Sequence, residues 1–192
     1  MDPGKRSSYP DGPNSRGRSP VSFKVGDKLV YPNHGVGVVE QIQETLLDGT
    51  AHPCYQLRLL GNNSRVTVPV DNSERVGLRP LIPPREVGDV FRVLEEGIVH
   101  PSADWKGRYK QNLDKMKSGR LAEIADVLKN LSWVQKQKSL SFREKKMYDR
   151  ARYLIISEIA QINGVSETVV EGEVDRALSR AVSRQRTTSR DH

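Results

Sequence analysis

The sequence predicts an α+β protein of two domains, a small all-β barrel followed by an all-α helical domain. Over residues 21–82, short apolar runs alternate with polar residues between turn signals, which is typical of short strands. Beyond Pro83 and Pro84 the apolar period becomes about 3.6, which is typical of helices. Only 35% of the 192 residues are hydrophobic, so we expect two modest cores and not one large core.

The two ends of the chain are predicted to be disordered. Residues 1–20 consist largely of Pro, Gly, Ser and Arg and contain almost nothing apolar to bury. Ordering such a segment would cost about 1–2 kcal/mol of backbone entropy per residue without compensating burial. We expect a disordered basic tail there, and a second disordered tail over the polar residues 183–192.

The β module, residues 21–82, is predicted to contain four strands separated by tight turns. Asp48-Gly49 is typical of a hairpin turn, and Gly61-Asn62 turns the chain again before the fourth strand. Short strands over about 60 residues predict a small SH3-like or Tudor-like barrel. The predicted strands are residues 28–31, 36–43, 55–59 and 66–70.

The helical module, residues 83–182, is predicted to contain five helices. Ser141 and Glu144 form the sequence pattern of a capping box, which begins the fourth helix. Ser166 is expected to cap the fifth helix, which we expect to fray after about Val182. The predicted helices span about residues 84–96, 105–118, 121–137, 142–163 and 167–182.

The whole net charge of the chain lies in residues 101–163. They contain fourteen Lys or Arg and seven Asp or Glu, a surplus equal to the total of +7, whereas the β module contains six of each sign. A basic helical module is typical of a protein that contacts a nucleic-acid backbone. The alternative is a solvated helix face. The candidate DNA-binding residues are Trp105, Lys106, Arg108, Lys110, Arg143, Lys146 and Arg150.

Trp105 stands at the start of the second predicted helix, among basic residues. It shares a helical face with Tyr109 and Leu113, so the spacing alone favours burial in the core. A ring at a helix start can also project beyond the helix end, where it could press against bases. Trp133 differs, because it lies in the middle of the third predicted helix, and we expect it to pack in the core or against a neighbouring helix.

The sequence contains no recognisable catalytic or metal site. It lacks both the G-x-x-x-x-G-K-[ST] and the G-x-G-x-x-G phosphate-binding patterns. Cys54 with His52 or His34 could form a thiol–imidazole pair, but a cysteine beside an apolar strand is more commonly structural. One cysteine and four scattered histidines do not match a zinc-ligand spacing. We therefore expect a protein that is not an enzyme and has no cofactor.

The compartment is predicted to be the cytoplasm. Cys54 is the single cysteine of the chain, so no internal disulfide can form, which fits a reducing environment. No apolar run approaches the roughly 20 residues that a membrane-spanning helix needs. The N-terminus also lacks the apolar segment of a secretory signal, so we expect no membrane partner.

Five segments of the sequence carry a resemblance to known proteins: FKVGDKLVYPNHGVG at 23–37, which opens the β module, VTVPV at 66–70, VGLRP at 76–80, WKGRYK at 105–110 and LSFREK at 140–145. Together they closely resemble the CarD/CdnL family of bacterial transcription regulators. The resemblance covers about residues 22–180. The opening alone would also fit the polymerase-interacting module of the transcription-repair coupling factor, but that enzyme has a helicase motor and this chain has no phosphate loop.

The resemblance implies that the β module binds the RNA polymerase β subunit by pairing an edge strand with it. Pro69 would end that pairing because it has no N–H to donate. Some family members have arginine at the positions of Thr45 and Thr67, and Arg65, on the same strand face as Thr67, could substitute. The implied polymerase-binding residues are Ser64, Arg65, Val66, Thr67 and Val68.

The resemblance also implies that the helical module binds promoter DNA. The residue matching Trp105 would act as a wedge in the minor groove at the upstream fork of the melted promoter, while Arg108 and Lys110 hold the backbone. The implied protein is a monomeric global regulator that stabilises the open promoter complex. Two alternatives stay open: an architectural nucleic-acid-binding protein that works without polymerase, and a protein-interaction adaptor.

Overall fold

The computed structural model describes residues 22–96 and 105–188, apart from the side chains of Trp105 and of residues 185–188. The tail predicted over residues 1–20 lies outside the described residues. Within the described residues, a five-stranded antiparallel sheet comes first and five α-helices follow it. The α+β class predicted from the change of period is confirmed.

The sheet has the strand order β4-β3-β2-β1-β5, with every neighbouring pair antiparallel. Each of the four predicted strands is present. The Val36–Gln43 and Tyr55–Leu59 runs belong to longer strands than predicted. The strands are β1 Lys28–Tyr31, β2 Gly35–Leu47, β3 Thr50–Leu59, β4 Arg65–Pro69 and β5 Arg79–Pro80.

The long β2–β3 hairpin follows from its turn. Asp48 has a φ of 51° and Gly49 a φ of 80°, and two left-handed residues form a type I′ turn, whose twist matches that of the flanking strands. Pairing therefore continues out to Leu47 opposite Thr50. The sequence does not predict β5, because a two-residue strand has no alternation to detect; its place is set by pairing with β1.

One face of the sheet encloses the core of the β module. Tyr55 is fully buried in it, and its hydroxyl accepts a hydrogen bond from the Phe23 N–H at 3.2 Å. The two rings meet edge to face with centroids 5.8 Å apart, a favourable aromatic geometry. The buried cluster consists of Phe23, Leu29, Val39, Tyr55, Leu57, Val68 and Leu78.

The helices follow a single 3₁₀ turn at Pro84–Glu86. The predicted capping box is confirmed: Ser141 Oγ accepts from the Glu144 N–H, and the Glu144 carboxylate accepts from the Ser141 N–H. Gly164, with φ 65°, ends the fourth helix in the left-handed conformation. The helices are α1 Val87–Glu95, α2 Trp105–Ser118, α3 Leu121–Gln137, α4 Phe142–Asn163 and α5 Glu167–Thr188.

Helix α5 continues beyond the predicted fraying point at Val182 and reaches Thr188. Residues 183–188 contain neither Gly nor Pro and include Arg and Gln, which are good helix formers. The Ser183 hydroxyl also donates to the Ser179 carbonyl one turn earlier. The expected disordered tail of 183–192 is therefore helical as far as Thr188; residues after it lie outside the described part.

Helix α3 lies at the centre of the helical module and packs against α1, α2, α4 and α5. Its apolar stripe is fully buried at Val127, Leu128 and Leu131, as the spacing predicts. Trp133 is half-buried on this helix. Within residues 22–96 and 105–188, no helix combines the length and apolarity needed to cross a membrane.

The two modules pack against each other through α4. Tyr153 of this helix lies against Gly35, at the start of β2, and against Gly61, in the turn before β4. A Cβ atom added to Gly61 would come within 1.8 Å of the Tyr153 hydroxyl oxygen. Glycine at 61 therefore permits a close approach that a side chain would block.

A buried ion pair joins the modules beside this contact. Arg79 of β5 donates two hydrogen bonds to the Glu158 carboxylate, at 2.7 and 2.8 Å, and two more to the Gly119 carbonyl. Glu158 is only 2% exposed and also accepts from the Ile82 N–H at 3.0 Å. A bidentate, desolvated pair of this kind fixes geometry as well as contact.

Candidate protein and nucleic-acid interfaces

The first candidate surface is the outer edge of β4, which we call the β4 edge and define as residues 64–68. β4 pairs with β3 on one side, and among the described residues no strand pairs with its other side. The strand begins at Arg65 and ends at Pro69. β4 is therefore an edge strand of the described sheet, and such an edge can pair with another chain.

The ladder shows which main-chain groups of the β4 edge point outward. The Leu59 N–H donates to the Ser64 carbonyl at 2.8 Å, so residues 64, 66 and 68 direct their main-chain groups towards β3. Antiparallel pairing alternates, and Arg65 and Thr67 therefore turn their N–H and C=O groups outward. Pro69 is the next outward position and has no N–H. The usable donors of this edge are those of Arg65 and Thr67.

The side chains of the β4 edge are largely occupied within the sheet. Arg65 Nε lies 3.0 Å from a Glu40 carboxylate oxygen, and Arg58 Nε lies 2.6 Å from the other oxygen. Hydrogen bonds from Arg58 and Arg65 lower the pKa of Glu40. The Thr67 hydroxyl donates to Gln56 Oε1 at 2.8 Å. Because these hydrogen bonds already engage the side chains of Arg65 and Thr67, the outward main-chain groups are the part of this surface that can bond to a partner strand.

The other implied residues divide by exposure. Ser64 is exposed, Val66 is half-buried, and the side chain of Val68 belongs to the core. Thr45 lies on the same sheet face as Thr67, because its cross-strand partner His52 is on the face of Gln56. The Thr45 hydroxyl is buried without a hydrogen-bond partner among the described residues.

The second candidate surface, the basic face, consists of the exposed lysines and arginine at the starts of α2 and α4. Its members are Lys106, Lys110, Arg143 and Lys146. Trp105 is the first residue of α2, as predicted, although its side chain lies outside the described part. Arg143 and Lys146 form no ion pair within the described residues. These two charges are available to a partner.

Arg108 occupies a different position from the other predicted DNA-binding residues. It is 6% exposed, and its Nη2 and Nε atoms lie 2.7 and 3.3 Å from Glu144 Oε1. Glu144 is itself 5% exposed and accepts from the Ser141 N–H and hydroxyl through its other oxygen. The pair joins the first turn of α2 to the first turn of α4 and withdraws the Arg108 charge from the surface.

The pKa of Glu144 depends on two opposing effects, burial of its carboxylate and the contacts that Arg108 and Ser141 make with it. Burial alone would raise it, but hydrogen bonds from Arg108 and Ser141, together with the Arg108 charge, hold it below its usual value of 4.5. Glu144 is therefore ionised at neutral pH, and the buried guanidinium has a matching charge. The sequence does not reveal this pair because its members are thirty-six residues apart.

Other basic residues of the helical module also have acidic partners. Lys145 donates to Asp149 at 2.5 Å, and Arg152 donates to Glu171 and Asp175. At these two residues the positive charge of the helical module is therefore neutralised by acidic partners. At the start of α4, the basic residues without an ion pair among the described residues are Arg143 and Lys146.

Arg150 lies two turns along α4, away from the basic face. Its guanidinium carbon is 5.3 Å from the ring centroid of Tyr153, which packs on the β module. Burial and the nearby Arg150 charge lower the pKa of His34, which stacks on Tyr31. The structure thus brings Arg150 to the contact between the modules.

One aromatic residue at the basic face is missed by sequence reasoning. Phe142 is the first residue of α4 and is 75% exposed, with the Lys146 ammonium 4.6 Å from its ring centroid. The sequence gives its place directly after the Ser141 cap but not its exposure, because an aromatic residue in a helix is more often buried.

No catalytic arrangement emerges around Cys54. The residue is fully buried, and its thiol contacts the His52 carbonyl oxygen at 3.4 Å and not an imidazole. Across the described ranges, no group of three or more His, Cys, Asp or Glu side chains is placed to hold a metal ion. The thiol–imidazole alternative is therefore not supported by the geometry.

Comparison with known proteins bears on both modules. A family model described as the CarD-like/TRCF RID domain matches residues 23–82, and one described as the CarD C-terminal domain matches residues 89–175. The proposed transcription factor YdeB of Bacillus subtilis (strain 168) is 33% identical over 149 residues. The similarity covers 78% of this chain and 97% of YdeB.

Proposed function

Because this chain belongs to the CarD family of transcription regulators, which interact with RNA polymerase, we propose that it binds the polymerase β subunit through the β4 edge and stabilises the open promoter complex through the basic face. The observation that carries the proposal is the presence of both surfaces on one molecule. One is an unpaired strand edge, and the other is a positively charged helix pair that begins with Trp105.

The polymerase half of the proposal uses strand addition. The outward N–H and C=O groups of Arg65 and Thr67 would continue the sheet into a strand of the β subunit. Main-chain bonds supply the attraction, and the exposed side chains of Ser64, Arg65 and Thr67 supply selection. Pro69 limits the added pairing to the length of β4.

The DNA half of the proposal uses phosphate contacts and a wedge. Lys106, Lys110, Arg143 and Lys146 would neutralise backbone phosphates, which positions the module without reading sequence. The Trp105 ring would stack where bases have separated, a contact worth roughly 1–3 kcal/mol. Such a contact exists only after melting, so it shifts the closed-to-open equilibrium by differential binding. About 1.4 kcal/mol corresponds to a tenfold shift.

Arg108 has a positioning role in this proposal. Its buried bond to Glu144 fixes the first turn of α2, in which Trp105 stands. Trp105 would then stand at the start of a helix whose first turn is tied to α4. Catalysis is not required at any step, because the regulator acts by binding one promoter state more tightly than another.

The decisive experiment follows promoter opening by bacterial RNA polymerase with a fluorophore near the upstream fork. Wild-type protein should raise the open fraction or its lifetime. Trp105→Ala should lose most of that effect, and Trp105→Phe, which keeps a ring, should lose less. Trp133→Phe is the matched control because Trp133 is half-buried in α3, and it should behave as wild type.

Two results would overturn the proposal. If wild-type protein has no effect on opening, the polymerase-regulator function fails. If the protein binds free DNA tightly and acts without polymerase, the architectural alternative replaces it. Circular dichroism and thermal unfolding of each variant separate loss of function from loss of fold.

A further inference from the structure

We propose that Phe142 is a second stacking residue, which contacts an unpaired base of promoter DNA beside the Trp105 wedge. This inference rests on the proposed function and names a further residue of the same surface. The ring is 75% exposed at the first position of α4. Among the large hydrophobic side chains that the described residues expose, it is the only aromatic one.

The local structure does not require an aromatic ring at this position. The capping box that begins α4 is formed by Ser141 and Glu144, and the buried residues of the helix begin with Glu144 and Met147. Single exposed apolar residues are common on proteins and need no explanation by themselves. Phe142 differs because of what surrounds it.

The surroundings of Phe142 are positively charged. Arg143 and Lys146 are exposed, and the first turn of α2 contains no acidic residue. The acid in the first turn of α4 is Glu144, whose carboxylate is buried against Arg108. A flat ring surrounded by cations, with no exposed acid in either first turn, complements a polyanion that carries stackable rings. Single-stranded nucleic acid has that chemistry.

The Arg108–Glu144 bond places Phe142 near the start of α2. Arg108 is one turn after Trp105, and Glu144 is two residues after Phe142. Since the two side chains meet at 2.7 Å, this bond ties the first turn of α2 to the first turn of α4. Two aromatic residues thus stand at the first positions of two helices whose first turns are bonded to each other.

The Lys146 ammonium places a positive charge beside the Phe142 ring. It lies 4.6 Å from the Phe142 ring centroid, within the range of a cation–π contact. A base that stacks on the open face of the ring would bring its phosphates close to Lys146 and Arg143. The positive ends of two helix dipoles add to the same attraction. The ring would then bind the base of one nucleotide, and the two cations would bind its phosphates.

The test uses polymerase and a promoter with 2-aminopurine at the unpaired positions nearest the upstream fork. Stacking on Phe142 should quench 2-aminopurine at one position, and Phe142→Ala should abolish that quenching. The same variant should shorten the lifetime of the open complex by about fivefold, in keeping with the loss of one base-stacking contact. Phe142→Tyr should retain both effects, whereas Phe142→Leu, apolar but not flat, should lose both.

Val169→Ala is the matched control, because Val169 is an exposed apolar residue on α5, outside the basic face. Phe142→Ala and Val169→Ala should both unfold at the wild-type temperature. If wild type prolongs the open complex and Phe142→Ala does so equally, the inference is overturned while the proposed function stands. If Phe142→Ala instead weakens polymerase binding without DNA, Phe142 contacts protein and the inference is also overturned. If wild type has no effect, both fail.

Discussion

The β4 edge and the basic face are prepared for binding in opposite ways. At the β4 edge the side chains of Arg65 and Thr67 bond within the sheet, and the outward main chain is left for a partner. At the basic face the charged side chains of Arg143 and Lys146 are left for a partner. The first surface should therefore be sensitive to backbone changes, and the second to changes of charge and ring.

Each region also contains a carboxylate that bridges to arginine, and the two differ in environment. Glu144 and Arg108 are both nearly inaccessible to solvent, whereas Glu40 holds Arg58 and Arg65 at the surface. Water screens the second set and not the first. The comparison separates a charge pair that holds the fold together from one that only orients exposed side chains.

The largest expected effect comes from Glu144→Ala. It leaves the Arg108 guanidinium buried without a counter-charge and removes half of the capping box, so the free energy of unfolding should fall by about 3–5 kcal/mol. Urea denaturation measures this change. Glu40→Ala is the matched control and should leave the unfolding midpoint unchanged. Equal losses for the two variants would contradict the distinction between them.

The next largest effect tests whether the main chain of the β4 edge dominates its binding. Thr67→Pro removes an outward N–H but no bond to β3, because residue 67 is an outward position of β4. Binding to the isolated polymerase β subunit should weaken by about 100-fold, or about 3 kcal/mol, through lost pairing and blockage by the ring. Thr67→Val keeps the N–H and should bind nearly as wild type in a titration by calorimetry. Similar losses for both variants would show that side chains dominate this surface.

A smaller effect tests the charges of the basic face. Replacing both Arg143 and Lys146 by Gln should weaken DNA binding and reduce the slope of log affinity against log salt, by about 0.9 for each lost contact with duplex phosphates. Fluorescence anisotropy across a salt series measures the slope. Lys145→Gln removes a lysine already paired with Asp149 and should change the slope far less. An unchanged slope in the double variant would argue for a solvated helix face.

The smallest effect is a pH dependence. The folded-state pKa of Glu144 is below 4.5, so its contribution to stability is complete above the unfolded value and is lost as pH falls through the lower folded value. The difference in unfolding free energy between wild type and Glu144→Gln should therefore shrink below about pH 4.5. Urea denaturation at neutral pH and at two acidic values tests this. A difference that grows on acidification would reverse the sign assigned here.

Local signals in the sequence account for most of the fold. The apolar stripe predicts α3 within its observed bounds, and Ser141 with Glu144 predicts the start of α4. These features depend on neighbours within one or two turns, which a sequence displays directly. The same holds for the Asp48-Gly49 hairpin.

Features that depend on distant residues are not predictable in this way. β5 exists because it pairs with β1, about fifty residues earlier. Arg108 is read as a surface charge because its partner Glu144 belongs to another helix. The exposure of Phe142 likewise depends on how α4 packs, since an aromatic residue in a helix is more often buried. The candidate site was therefore located by sequence, but the roles within it required the structure.

The contact of Tyr153 with Gly61 has a consequence for how far the protein reaches. With Arg79 and Glu158 locked beside it, this contact makes the connection between the modules a stiff spacer and not a flexible tether. A stiff spacer gives a bound module a high local concentration at one distance and almost none elsewhere. If the β4 edge binds polymerase as proposed, the fixed distance between the two modules would determine which DNA position the helical module contacts. That position would then depend on its distance from the polymerase contact and not on the base sequence.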